Sequence, residues 1–168
     1  MIRDMKPALA YSYCESPIGK LLLVASERGL AQIWFEGQTH KAALGDECHE
    51  DSAALREAVR QLRAYFAGDL ETFDIHLAPE GTPFQQKVWN ELLKIPYAET
   101  ISYGELARRI GNPNASRAVG LANGTNPIPI IIPCHRVIGS NGKLTGYGGG
   151  LPIKEKLLAL EKRQLLLL

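Results

Sequence analysis

The sequence predicts an α/β protein in two parts, a small sheet-and-helix domain over residues 1–80 and a mainly helical domain over 81–168. Two observations carry that division. Apolar residues run in strand-like blocks early in the chain and at helical spacing later, with Ala78-Pro79-Glu80-Gly81 as a linker between them. The charge also changes sign. Residues 1–84 carry 8 Lys/Arg against 13 Asp/Glu, a balance of −5, whereas 85–168 carry 11 against 5, a balance of +6.

In the first part, Leu21–Ala25 and Leu30–Phe35 flank Ser26-Glu27-Arg28-Gly29 and read as a β-hairpin. Leu55, Val59, Leu62 and Phe66 form the apolar stripe of a helix over 52–67 that Gly68 closes. Phe73–Leu77 reads as a further strand. In the second part, Thr82-Pro83-Phe84-Gln85 combines a cap, a first-turn proline and a capping-box glutamine. It opens a helix to Lys94 whose buried face is Phe84, Val88, Trp89, Leu92 and Leu93, ended by Pro96. Ser102-Tyr103-Gly104-Glu105 is a second capping box and starts a short helix to Ile110. After the turn Gly111-Asn112-Pro113-Asn114, Asn114 caps a third helix to Ala122. This is helix-turn-helix spacing. The prolines at 127, 129 and 133 predict an extended, rigid run ending at Cys134. Residues 139–150 hold six glycines and Tyr147. A final helix covers 154–162, and the Leu165–Leu168 tail is expected to pack on the core.

Composition narrows the function classes. The chain has 168 residues, 45% hydrophobic and 22% charged, which is ordinary globular composition. No apolar run nears the roughly 20 residues needed to cross a bilayer, and residues 1–11 lack the pattern of a signal peptide. A cytoplasmic protein is expected. Cys14, Cys48 and Cys134 are too few and too scattered for a disulfide framework. Cys14, His40, Cys48, His49 and His76 show no metal-ligand spacing, so neither a metal nor any other cofactor is expected. No acidic residue falls between Glu105 and Glu155, a stretch holding Arg108, Arg109, Arg117, Arg136, Lys143 and Lys154. A polyanion would be drawn to this half and repelled by the other. Chance asymmetry on a solvated surface explains the charge alone equally well.

A cysteine in an apolar run is most often inert packing. At Cys134 the neighbours argue otherwise. His135 and Arg136 follow directly and would be costly to bury for structure alone, and a cation beside a thiol favours the reactive thiolate.

Pro133-Cys134-His135-Arg136-Val137 resembles the active-site signature of the O6-alkylguanine-DNA alkyltransferases, also called methylated-DNA–protein-cysteine methyltransferases. The resemblance runs from Pro83-Phe84-Gln85 through Tyr103, Arg117-Ala118-Val119-Gly120, Asn126-Pro127 and Gly146-Tyr147 to Glu161. The first half is similar to the family's N-terminal domain more loosely, which implies a ribonuclease H-like sheet. The resemblance implies a monomer that binds duplex DNA through the minor groove and flips the damaged nucleotide out. Its cysteine then takes the alkyl group irreversibly, one lesion per chain, with no diffusible cofactor. A base inside the stack is out of reach, so extrusion makes physical sense, and the thioether formed is not readily reversed.

By position, the resemblance makes Cys134 the acceptor, His135 its base through a bridging water, and Glu161 the group orienting the imidazole. Asn126 would hold the backbone around the cysteine, or serve only as a turn residue before Pro127. Arg117 would enter the base stack, or contact phosphate from the surface. Tyr103 would crowd the flipped nucleotide's phosphate, or be a half-buried tyrosine. Ser116, Asn123 and Arg136 complete the expected DNA-binding set. Tyr147 would hydrogen-bond the guanine, and Pro129, Val137 and Gly148 would line the pocket with it. Gly148 stands where some family members carry a hydroxyl or methyl side chain, which leads us to expect tolerance of alkyl groups larger than methyl and of O4-alkylthymine.

Other classes fit less of the sequence. Binding-only relatives of the family lack the cysteine. A transcription regulator would explain the helix-turn-helix but not the Cys-His-Arg run or Glu161. A cysteine hydrolase needs an oxyanion site that is not visible, and Gly148-Gly149-Gly150 lacks the strand-turn context of a nucleotide-binding loop.

Overall fold

The computed structural model describes residues 10–38, 44 and 48–166, with side chains described as far as Arg163. It divides into two compact units, one ending at Pro79 and the other beginning at Glu80.

Among the described residues, the first unit holds a four-stranded sheet and one helix. Strands β1 (Ala10–Cys14), β2 (Leu21–Ser26), β3 (Gly29–Trp34) and β4 (His49–Glu50) lie in the order β3-β2-β1-β4. The first three pair antiparallel, and β4 runs parallel to β1. The β2–β3 hairpin turns at Gly29, whose φ of +140° and whose approach to the His76 carbonyl leave no room for a side chain. The sequence also predicts a strand over 73–77. The structure makes only a single bridge there, Leu30 to Leu77. The buried Gln61 side chain bonds both the amide (2.8 Å) and the carbonyl (2.9 Å) of Asp74, occupying groups that a longer ladder would need. Helix α1 (Arg56–Ala67) starts four residues later than predicted, because the Asp51 carboxylate binds the amides of Ala53 and Ala54 and holds them in a turn. Its buried face is Ala58, Gln61, Leu62 and Tyr65, rotated from the predicted Val59 and Phe66.

The second unit begins with α2 (Pro83–Leu92), where both halves of the Thr82–Gln85 capping box are formed. Val88, Trp89 and Leu92 are buried, whereas Leu93, predicted inside, is exposed just past the helix end. Helix α3 (Tyr103–Arg109) is capped by Ser102, but Glu105 turns its carboxylate to Arg108 and Arg109 instead of completing a box. The turn at Gly111 leads to α4 (Ser116–Gly124), the second member of the helix-turn-helix. Its first turn has no side-chain cap, so the predicted role of Asn114 is not realised. Trp89 Nε1 donates to the Ala122 carbonyl at 2.9 Å, and Gln85 reaches Thr125 Oγ1 at 3.1 Å, fixing the end of α4 on α2. A two-residue parallel pair, β5 (Ile101–Ser102) and β6 (Val137–Ile138), joins the start of α3 to the segment after Cys134.

Helix α5 (Leu151–Leu166) is longer than predicted at both ends. Its buried stripe is Lys154, Leu157 and Glu161, so one helix carries two charged side chains inward. The expected packing of Leu165–Leu168 lies outside the described side chains. No described helix is long and apolar enough to cross a membrane.

Candidate active site

The run before Cys134 is not extended. The Ile132 amide bonds back to the Ile128 carbonyl at 3.0 Å, and Ile130 adopts a φ of +74°. Asn126 folds the segment on itself, donating to the Ile132 carbonyl (2.8 Å) and accepting from the Ile128 amide (3.0 Å). Prolines supply no competing amide donors, and their fixed φ suits a turn as well as a strand. A left-handed β-branched residue is strained by about 1–3 kcal/mol, offset here by burying Ile128, Ile130, Ile131 and Ile132. The chain then enters a 3-10 turn, Cys134–Arg136, all of it buried.

The Cys134 sulfur is enclosed. Burial pushes the thiol up to about 11, against the opposing pull of the Asn126 and Tyr147 side chains and of Lys154. The sequence leads one to expect a thiolate favoured by adjacent cations. The structure corrects this, because desolvation outweighs the nearby charge and Arg136 is committed elsewhere. Asn123, placed by sequence on the DNA side, is also buried, and its side-chain nitrogen donates to the Cys134 carbonyl at 3.4 Å.

His135 and Glu161 are both fully buried. His135 Nε2 lies 2.7 Å from Glu161 Oε1. The other ring nitrogen, Nδ1, makes no hydrogen bond among the described residues. Burial holds His135 below its usual pKa, against the opposing pull of Glu161, so the ring is neutral and able to accept a proton. Burial alone would raise Glu161, but hydrogen bonds from His135 and Arg136 bring it down to about 2.

Arg136 was expected to contact DNA. It is buried instead: Nε and Nη2 bond Glu161 at 2.8–3.3 Å, and Nη1 reaches the Ile95 carbonyl at 2.8 Å. The Ala98 amide, at a φ of +62°, donates to Glu161 Oε2 at 3.2 Å. A buried guanidinium–carboxylate pair with these extra partners is costly to break, at about 3–5 kcal/mol.

The remaining expected residues fall around this centre. Pro129 and Val137 are buried, Tyr147 is half-buried and Gly148 is exposed. A side chain at Gly148 would meet only the Gly124 carbonyl, at an ordinary 3.8 Å. Tyr103 is half-buried, with its hydroxyl donating to the Thr145 carbonyl at 3.2 Å. Arg117 is exposed and Ser116 partly so, both in the first turn of α4. Sequence reading missed Lys154 as a site residue, counting it only among surface charges. Its spacing from Glu161, seven residues or two helical turns, was the available signal. Among the described residues no group of three His, Cys, Asp or Glu side chains is placed to hold a metal; His40 lies outside them.

A buried cysteine followed in the chain by a His paired with Glu, in the unit that carries a helix-turn-helix, defines a protein-nucleophile site on a DNA-binding scaffold. Two family models cover nearly the whole chain: 6-O-methylguanine DNA methyltransferase, ribonuclease-like domain, over residues 9–79, and the DNA binding domain of the same family over 83–163. The chain belongs to this 6-O-methylguanine DNA methyltransferase family. It is 60% identical over 151 residues to a methylated-DNA–protein-cysteine methyltransferase of Methanosarcina acetivorans, covering 90% of this chain and 97% of that one. Among solved structures, the Mycobacterium tuberculosis OGT in complex with DNA superposes with a TM-score of 0.86 at 54% identity, covering 92% of this chain and 94% of that one. The M. tuberculosis O6-methylguanine methyltransferase gives 0.85 at the same identity, covering 92% and 93%.

Proposed function

We propose that this chain repairs alkylated DNA by moving the alkyl group from O6 of guanine onto Cys134, one transfer per molecule. The observation that carries the reading is the buried Cys134 sulfur, next in the chain to a neutral imidazole that Glu161 orients. Membership of the family and the likeness to a relative solved with DNA support it.

In this mechanism Arg117, exposed in the first turn of α4, enters the base stack from the minor groove and holds the damaged nucleotide outside it. Tyr103 crowds the adjacent phosphate. The Cys134 thiol gives its proton to His135 Nδ1 through one water, since Nε2 is engaged by Glu161. The S–C bond forms as the C–O bond breaks, and the bonding pair passes to guanine O6. The guanine recovers a proton from the His135 side, so thiol and O6-alkylguanine become thioether and guanine. Because the free thiol sits near 11, deprotonation belongs to the moment of attack rather than to the resting protein. Tyr147 offers its phenol to the leaving base.

The open position at Gly148 extends the substrates to alkyl groups larger than methyl and to O4-alkylthymine. We read the protein as a monomer of the reducing cytoplasm, where its three free cysteines stay available.

The test is intact mass after incubation with duplex containing O6-methylguanine. One methylene gained on the Cys134 peptide, abolished in Cys134→Ser while duplex binding persists, is the expected result. No adduct, or an adduct on Cys14, overturns the reading.

A further inference from the structure

Asn123 is 2% exposed, in the last turn of α4. Its side-chain nitrogen donates to the Cys134 carbonyl at 3.4 Å, but its side-chain oxygen, Oδ1, is buried and meets no hydrogen-bond donor among the described residues. A buried acceptor left unpaired is costly, and most are met by protein, water or a ligand. The face of α4 that carries Asn123 is turned to the candidate site. Three residues earlier, a side chain at Gly120 would meet the Tyr103 ring at 3.8 Å. One residue later, the Gly124 carbonyl lies 3.8 Å from where a side chain at Gly148 would begin. Arg117 stands three residues before Gly120 on the same stripe. The unpaired acceptor therefore belongs to the stretch of α4 set against Tyr103, Cys134 and Gly148.

The alkyl-transfer chemistry does not use Asn123. The sulfur attacks carbon, His135 takes the proton and Tyr147 faces the leaving base. Packing alone would be served better by leucine, which has the shape of asparagine without its unpaired oxygen. What the lesion can offer an acceptor is narrow. An alkyl group on O6 leaves the guanine ring without its N1 proton, and N9 is held by the sugar. The 2-amino group is then the one N–H donor on the flipped base. A site built to pair a substrate N–H rejects the analogue that lacks it, because the acceptor stays unpaired in that complex.

We propose that Asn123 is a specificity-determining residue: its Oδ1 accepts a hydrogen bond from the 2-amino group of the O6-alkylguanine held against Cys134, while its nitrogen keeps the Cys134 carbonyl. The inference rests on the alkyl-transfer reading above and adds to it a contact on the purine edge away from the alkyl group. It gives the buried amide at the end of α4 a partner. It also makes guanine lesions the preferred substrate over O4-alkylthymine, which has no N–H to offer.

The experiment measures single-turnover methyl transfer, by wild type and Asn123→Leu, from two duplexes. One carries O6-methylguanine and the other O6-methylhypoxanthine, the same base without the 2-amino group. Thermal unfolding and duplex affinity are followed beside it. Wild type is expected to favour the guanine duplex by roughly tenfold, the scale of one hydrogen bond. Asn123→Leu should lose most of that ratio, chiefly through a slower guanine reaction. A residue that only holds the Cys134 carbonyl, or whose Oδ1 is met by water, would lower both rates together and keep the ratio. That outcome overturns the proposal, as does a wild type indifferent to the amino group. Should Asn123→Leu not fold, Cys134→Ser supplies the readout, bound unreacted to each duplex and labelled at asparagine for carbon NMR. An Asn123 side-chain carbonyl that moves with the guanine duplex and not with the hypoxanthine duplex supports the proposal, and equal shifts overturn it. Wild type that transfers from neither duplex overturns the alkyl-transfer reading and this inference with it, whereas transfer at a ratio unchanged by the variant overturns the inference alone.

Discussion

At Glu161, Arg136, His135 and the Ala98 amide converge on one buried carboxylate, and the pH response of the fold follows from it. Glu161 is held at about 2 in the folded chain against 4.5 as its ordinary value. A depressed acid stabilises the fold above 4.5 and loses that contribution as pH falls from 4.5 towards 2. His135, held below its ordinary 6.5, adds a loss in the same direction as pH drops under 6.5, because only the unfolded chain then binds the proton freely. Urea midpoints should therefore decline below pH 6.5 and more steeply below 4.5. Glu161→Gln should remove the lower phase and cost about 3–5 kcal/mol at pH 7, since Arg136 stays buried without its counter-charge. Cys134 responds in the alkaline range. Raised to about 11 by burial, it should react slowly with iodoacetamide at pH 7 and progressively faster up to pH 10 and beyond, read by mass of the labelled peptide.

At the scale of elements, the Asn126 loop and the glycine-rich loop set the pocket. Asn126→Ala removes the hydrogen bonds that fold 126–132. A loss of about 1–3 kcal/mol in stability is expected, with slower transfer, checked by denaturation and single-turnover kinetics. Gly148→Ser fits without strain. It should leave methyl removal near wild type while slowing removal of bulkier groups, a comparison that equal slowing of both would refute. Local chemistry in the sequence indicated the α2 cap, the hairpin, the helix-turn-helix and the final helix, because each rests on neighbours within one or two turns. What was not legible depends on distant partners. Gln61 decides that 73–77 is no strand from thirteen residues away. Glu161 decides that Arg136 is buried rather than free for DNA, and Asn126 bends a proline run that reads as straight. The thiol was misread for the same reason. Its neighbours in sequence are cations, but burial of the sulfur outweighs the charge around it.

For the whole molecule, the charge division is the feature that governs partners. The acidic first unit and basic second unit give a net charge of only +1, so attraction to DNA belongs to one unit rather than to the total. If exposed cations such as Arg117 and Lys143 neutralise about two to four phosphates, log affinity should fall against log salt with a slope of about −2 to −4. Fluorescence anisotropy from 50 to 300 mM salt measures this. A flat response would remove phosphate contact from the account.

The order of the site along the chain has its own consequence. Cys134 leaves the ribosome before Lys154 and Glu161, both on α5. Until that helix docks, His135 has no carboxylate to orient it and Arg136 has no counter-ion, so the buried turn around the sulfur has little to hold it. The chemistry of the sulfur therefore waits on the docking of α5, and a chain in which that helix has not yet docked lacks the pair that sets it up.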